Sequence, residues 1–243
     1  MEQHLKLSSE NDKLRSNPKS YKRLVGWLIY LTITRPDINL WFTLLANICT
    51  NPESFTLQLH KEFYATLKGH LAKDSFLSSN NSLQISDYCD YDWVSCTTTG
   101  HSTTGYITYL GTSPVLWRTK KQSTILRLSA EVEYHSMATT AYELTWMKNL
   151  FSDLGIHHPQ PMHLHCENQV ALHIIANSVF HERIKHIEID FHLIKEKIQN
   201  GLIRTSHIST KLQLADILTK ALGNAQFYFL LSKLGVLYTH PSA

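Results

Sequence analysis

Two periodicities divide the chain. From Ser20 the run YKRLVGWLIYL sets Leu24, Trp27, Leu28 and Leu31 on one face at helical spacing, with Ser20 placed as the N-cap. Arg35-Pro36-Asp37 ends this helix, Asp37 is placed to cap a second one through about Ile48, and Asn51-Pro52-Glu53 turns into a third from about Thr56 to Leu67. After DSFLSSNNS (74–82), a Ser/Asn-rich linker, the period becomes two. Strands are predicted over Leu83 to Asp90, GYITYL (105–110) and VLWRT (115–119), with Gly111-Thr112-Ser113-Pro114 as the turn between the last two. A long helix capped by Ser129 runs to about Leu154, and HHPQP ends it. MHLHC (162–166) then reads as a short strand, and a helical crossover of that length is what a parallel pairing requires. Helices near 169–177 and 185–199, a strand at 202–207 and a helix at 213–220 follow. The pattern predicts an α/β fold with a five-stranded mixed sheet flanked by helices over 81–222. A small all-helical unit with its linker (1–80) precedes it, and a helical tail (223–243) follows.

Composition sharpens the class. With 43% hydrophobic and 18% charged residues in 243, the chain has material for a core and not a disordered profile. No apolar run reaches the roughly 18 residues that a membrane-spanning helix needs. The four cysteines (Cys49, Cys89, Cys96, Cys166) lack CxxC spacing and no signal peptide precedes them, so free thiols in an intracellular, cytoplasmic or nuclear setting are expected. The net charge of +3 is uneven: residues 1–80 carry ten Lys/Arg against seven Asp/Glu, residues 81–243 thirteen of each. A polyanion would therefore be held by local patches rather than by bulk charge.

The candidate chemistry is acidic. Asp90, Glu133, Glu167 and Asp216 fall at strand ends or on helices, which is how a fold gathers carboxylates from distant sequence into one site for a hard cation such as Mg²⁺ or Mn²⁺. Asp92 shares a strand face with Asp90. Glu131 and Glu133 lie roughly 200° apart around a helix, so only one of them can face such a site, and the other suits the helix dipole. Trp117, Arg118, Lys120 and Lys121, with Arg127 beyond, form a basic patch around an indole, suited to phosphates and a sugar or base; a charged hairpin edge is the bland alternative. His163, His165 and Cys166 lack a second ligand pair at zinc-site spacing. Walker, GxGxxG and GxSxG motifs are absent.

Six segments in order resemble a known family. YCDYDWVSC (88–96), HSTTGYITYLG (101–111), LSAEVEY (128–134), HCENQVA (165–171), NSVFHERIKHIEIDFH (177–192) and QLADILTK (213–220) are similar to successive motifs of the ribonuclease H domain of copia-type LTR retrotransposon Pol polyproteins. RLVGWLIYLTITRPDI (23–38) resembles the segment after the reverse-transcriptase palm of those polyproteins, and LSKLGV (231–236) their end. The resemblance implies a C-terminal fragment: a remnant of the reverse-transcriptase thumb or connection over 1–80, then a ribonuclease H-like domain. It implies cleavage of the RNA strand of RNA–DNA hybrids with Mg²⁺ or Mn²⁺, with the hybrid and other Pol segments as partners.

The family's Asp-Glu-Asp-Asp order falls on Asp90, Glu133, Glu167 and Asp216, an order that separates it from integrase cores of the same fold, whose glutamate comes last. Where the family has CDN this chain has CEN, and the extra methylene at Glu167 shifts the carboxylate. A misplacement on the order of 1 Å can cost about a hundredfold in rate. The alternative is accordingly a catalytically impaired hybrid- or RNA-binding remnant. His207, nine residues before Asp216, resembles the mobile histidine of some ribonucleases H, against the equal alternative of a surface histidine. His101, Ser178 and Ile184 depart from the family pattern.

Overall fold

In chain order the strands are β1 (Lys73–Ser75), β2 (Ile85–Asp92), β3 (Thr103–Leu110), β4 (Ser113–Lys121), β5 (Met162–Cys166), β6 (Ile203–His207) and β7 (Val236–Tyr238). The helices are α1 (Ser129–Asp153), α2 (Gln169–Ala176), α3 (Glu188–Gln199), α4 (Asp216–Thr219) and α5 (Asn224–Lys233). The structure, a computed structural model, describes residues 26, 30–40, 73–75, 77–79, 81–96, 99–123, 125, 128–176 and 188–238. The chain divides into two compact units, one of Leu77–Thr219 and one of Met1–Phe76 with Lys220–Ala243.

The first of these units holds a five-stranded sheet in the order β4-β3-β2-β5-β6. β2, β3 and β4 pair antiparallel, while β5 pairs parallel to β2 and β6 parallel to β5. Strand β3, flanked by β4 and β2, is buried almost throughout, which suits its β-branched and aromatic residues. α1 buries Val132, Ser136, Met137, Thr140, Ala141, Leu144 and Met147 at three- and four-residue spacing. That stripe packs on Ile85, Cys89, Tyr106, Met162 and Leu164, with Phe191 and Ile194 of α3 closing the core. At the end of α1 Gly155 takes φ +76, which a glycine adopts without penalty, and the Ile156 N–H reaches back to the Phe151 carbonyl at 2.8 Å.

The five predicted strands are all present, each within two residues of its predicted start or end. Four details differ. Ser129 is the first residue of α1 rather than its cap. The N-cap is Leu128, whose N–H donates to the Glu131 carboxylate at 3.3 Å, so Glu131 caps as well as complementing the dipole. Asp37 is buried in a bidentate pair with Arg35, at 2.8 and 2.7 Å, inside a 3₁₀ turn started by Pro36, and most of the helix it was expected to cap lies outside the described residues. The linker expected over 74–82 begins inside β1, which pairs antiparallel with β7, so the expected helical tail also ends in a strand. The helix expected over 213–220 is a 3₁₀ turn (Thr210–Leu212) followed by the single turn of α4. The predicted helix over Thr56 to Leu67, most of those at 20–48, and residues 177–187 lie outside the described residues.

Candidate metal centre

β2 and β5 run side by side only as far as the pair Tyr88↔His165. Beyond it, two residues further along each chain, stand Asp90 and Glu167. Their position is the crevice outside the carboxyl ends of parallel strands, where open α/β sheets place their ligands. Gln213, fully buried, fills the gap between the parted strands by donating to the Cys89 carbonyl at 2.9 Å, while its own carbonyl oxygen accepts from the Ala215 N–H at 3.3 Å. That seats α4 with Asp216 as its first residue. Carboxylate oxygens of Asp90, Glu167 and Asp216 then lie within 4.8 Å of one another. Asp90 and Asp216 are buried and Glu167 half-buried, so the group opens on the side of Glu167. Three converging carboxylates and no soft donor among them fit a hard, oxygen-seeking divalent cation.

Two contacts fix the cluster. The Thr219 hydroxyl donates to Asp90 Oδ2, and the Thr119 hydroxyl on β4 donates to the Leu218 carbonyl at 3.0 Å. They are possible because Gly105, opposite Asp90 on β3, has no side chain: a Cβ there would stand 2.8 Å from Thr219 Cγ2 and 2.9 Å from Leu218 Cβ. The glycine of GYITYL therefore lets the helix that carries Asp216 lie against the sheet. Glu167 reaches the cluster despite its extra methylene, and the Thr210 hydroxyl lies 3.3 Å from its Oε2.

The other expected residues distribute as follows. Glu133 is buried on the inner face of α1, one turn before Ser136, whose hydroxyl donates to the Asp90 carbonyl at 3.0 Å. Burial first and the nearby Glu133 carboxylate second push the Cys166 thiol well above its ordinary pKa. Glu133 thus adjoins the cluster but is not one of the three groups that meet within 4.8 Å. His207 is exposed on β6 opposite Cys166, with the Gln169 amide nitrogen 3.4 Å from its ring. Asp92 continues the strand beyond Asp90.

Strand alternation divides the basic patch. Trp117 and Lys121 pair with Ile107 and Thr103 and share the sheet face of Asp90. Arg118 and Lys120 pair with Tyr106 and Thr104 on the face covered by α1. Arg127 lies outside the described residues. Positioning residues Gln213, Thr219 and Gly105 were not singled out from sequence, although all three sit inside segments marked for other residues. An isolated glycine within a strand pattern is the one signal that pointed to a close approach.

Strand order and pairing sense define an α/β fold with a five-stranded mixed sheet, and a carboxylate cluster stands at its β2/β5 crevice. The chain's relatives over nearly its whole length are retrovirus-related Pol polyproteins of transposons. The chain is 40% identical over 237 residues to the Pol polyprotein from transposon RE1 and 38% identical over 237 residues to that from transposon RE2, both of Arabidopsis thaliana. Each match takes in 98% of this chain and 16% of the relative, so the chain spans about a sixth of their length. Among solved structures, ribonuclease H1 from the archaeon Halobacterium salinarum aligns with 56% of this chain and 94% of its own, at 13% identity and a TM-score of 0.38. No protein-family model matches the chain. Among the described residues no helix is long and apolar enough to cross a membrane.

Proposed function

We propose that the domain over about 81–222 is a metal-dependent endonuclease of ribonuclease H type that cleaves the RNA strand of an RNA–DNA hybrid, alongside other Pol segments. The observation that carries this reading is the convergence of Asp90, Glu167 and Asp216, from three elements far apart in sequence, within 4.8 Å. These three would hold Mg²⁺ or Mn²⁺, with Glu133 as the adjoining carboxylate. The chemistry such ions supply when bound is activation of a water and stabilisation of the leaving 3′ oxygen.

The chain's own groups do the positioning. Thr219 and Gln213 fix where the Asp90 and Asp216 carboxylates point, and Ser136 ties α1 to the end of β2. His207, exposed on the strand beside Cys166, would move a proton at the departing product. Trp117 and Lys121, on the same sheet face as Asp90, would contact the duplex, and recognition would rest on its shape and 2′-hydroxyls rather than on base sequence. Incubating a labelled hybrid with the chain in Mg²⁺ or Mn²⁺ tests this. Loss of the RNA strand, absent in Asp90→Asn and absent with double-stranded DNA, supports it; cleavage unchanged in Asp90→Asn refutes it.

A second reading, a hybrid-binding remnant without nuclease activity, draws on Glu133, which is not among the three carboxylates that meet within 4.8 Å. Hybrid binding without cleavage, converted to cleavage by Glu167→Asp, would favour it.

A further inference from the structure

A second surface lies on the opposite face of the sheet. Between β4 and the middle of α1 runs an open groove of about 460 Å³, floored by Tyr106 and Leu116. One wall is α1, where Tyr142 and Trp146, four residues apart and so one above the other, are 59% and 54% exposed. The other wall is β4 with Arg118, whose guanidinium sits 3.5 Å from Glu143 of α1. All of these residues belong to the Leu77–Thr219 unit. Large exposed aromatics at consecutive turns of one helix face do not serve the core, and two flat faces beside a cation make a stacking platform.

Charge selects the occupant. No acidic residue occurs between Asp92 and Glu131, while Arg118 and Lys120 fall in that stretch. Arg118 and Lys120 point to the groove's side of the strand. In the Arg118–Glu143 pair the guanidinium is 54% exposed and the carboxylate 27%, and at 3.5 Å with one side open to water such a pair is worth little, so an incoming phosphate can take the guanidinium over. An apolar peptide would use the aromatics but would leave this cationic edge without a role.

We propose that this groove binds single-stranded nucleic acid, with bases stacked on Tyr142 and Trp146 and a backbone phosphate on Arg118. The site is independent of the carboxylate cluster. It would hold an unpaired strand on the sheet face away from Asp90.

The test uses the full chain and a fluorescein-labelled ten-nucleotide oligo(dT) or oligo(rU), titrated by anisotropy at low salt in EDTA, so that metal-dependent cleavage has no bearing on the result. Trp146→Ala and Tyr142→Ala are each expected to raise Kd about tenfold or more, the usual size of a lost base–aromatic stack. Trp146→Phe keeps most of the affinity and Trp146→Leu loses as much as alanine, because stacking and not bulk is what counts. Arg118→Gln lowers the slope of log K against log salt by about 0.7, one single-strand phosphate. Both aromatics are surface residues, and far-UV circular dichroism checks that each variant is folded. The proposal is overturned if the wild-type chain does not bind the oligonucleotides, if both alanine variants bind as tightly as wild type, or if Trp146→Leu does.

Discussion

Strand β2 carries two buried aspartates three residues apart, and each receives a threonine hydroxyl: Asp87 from Thr108, Asp90 from Thr219. There the likeness ends. Asp87 lies on the face that packs under α1, fully buried, and its Oδ1 has no hydrogen-bond partner among the described residues. Burial pushes its pKa well above the ordinary 3.8, with the Thr108 hydroxyl opposing this and Glu143 adding to it. Asp90 lies on the other face, at the strand end, and meets Glu167 and Asp216. A buried carboxyl alone marks a place where the fold tolerates an acid. Convergence of several, from elements distant in sequence, marks a place that asks for a cation.

The comparison can be broken by substitutions whose effects should rank in a set order. Asp90→Asn removes one of the three proposed ligands and should lower divalent-cation affinity and hybrid cleavage by more than the roughly 10–100-fold typical of outer contacts to a metal site; calorimetric titration with Mn²⁺ and a gel assay measure the two. Gly105→Ala forces a Cβ into Thr219 and Leu218, so about 1–3 kcal/mol of stability should be lost as α4 is pushed off the sheet. Urea unfolding measures that cost, and cation affinity should fall with it. Thr219→Val keeps the shape of the side chain but removes the donor to Asp90. A cost of about 1–3 kcal/mol and a smaller loss of cation affinity are expected, with Thr219→Ser restoring the affinity.

Asp87→Asn should do the reverse of these. An acid whose pKa rises on folding holds its proton more tightly in the folded state, so its contribution is full below the unfolded value and is lost as pH climbs through the raised one. The variant should therefore melt at the same temperature or slightly higher at neutral pH. Its stability should also vary less with pH above about 4, with cation binding unchanged. Melting curves taken across pH 4 to 8 would show a parallel pH dependence in both proteins if Asp87 were ionised in the fold.

Much of this was legible in the chain. Period-two runs placed all five strands of the main sheet, and the order of the four acids marked three that meet. Local signals stopped where contacts became remote. The Thr219 bond to Asp90 spans 129 positions and the Gln213 bond to Cys89 spans 124, and no spacing rule reaches so far. Glu133 was chosen over Glu131 because its position matches the family's order, yet which way its carboxylate turns is a rotamer choice set by packing. β1 and β7 are three residues each and lie in the two separate segments of the second unit, too short to show a period. Ser129 was taken as a cap on residue type, whereas the reach of Glu131 back to Leu128 decided the true boundary.

The central claim is that the Asp90 end of β2, and not the Asp87 end, is built for a divalent cation. Titration of Mn²⁺ into the wild-type chain, Asp90→Asn and Asp87→Asn, followed by electron paramagnetic resonance of the free ion, addresses it without reference to activity. The account predicts bound Mn²⁺ in the wild type and in Asp87→Asn and its loss in Asp90→Asn. Equal binding by all three proteins, or none by the wild type, would contradict it.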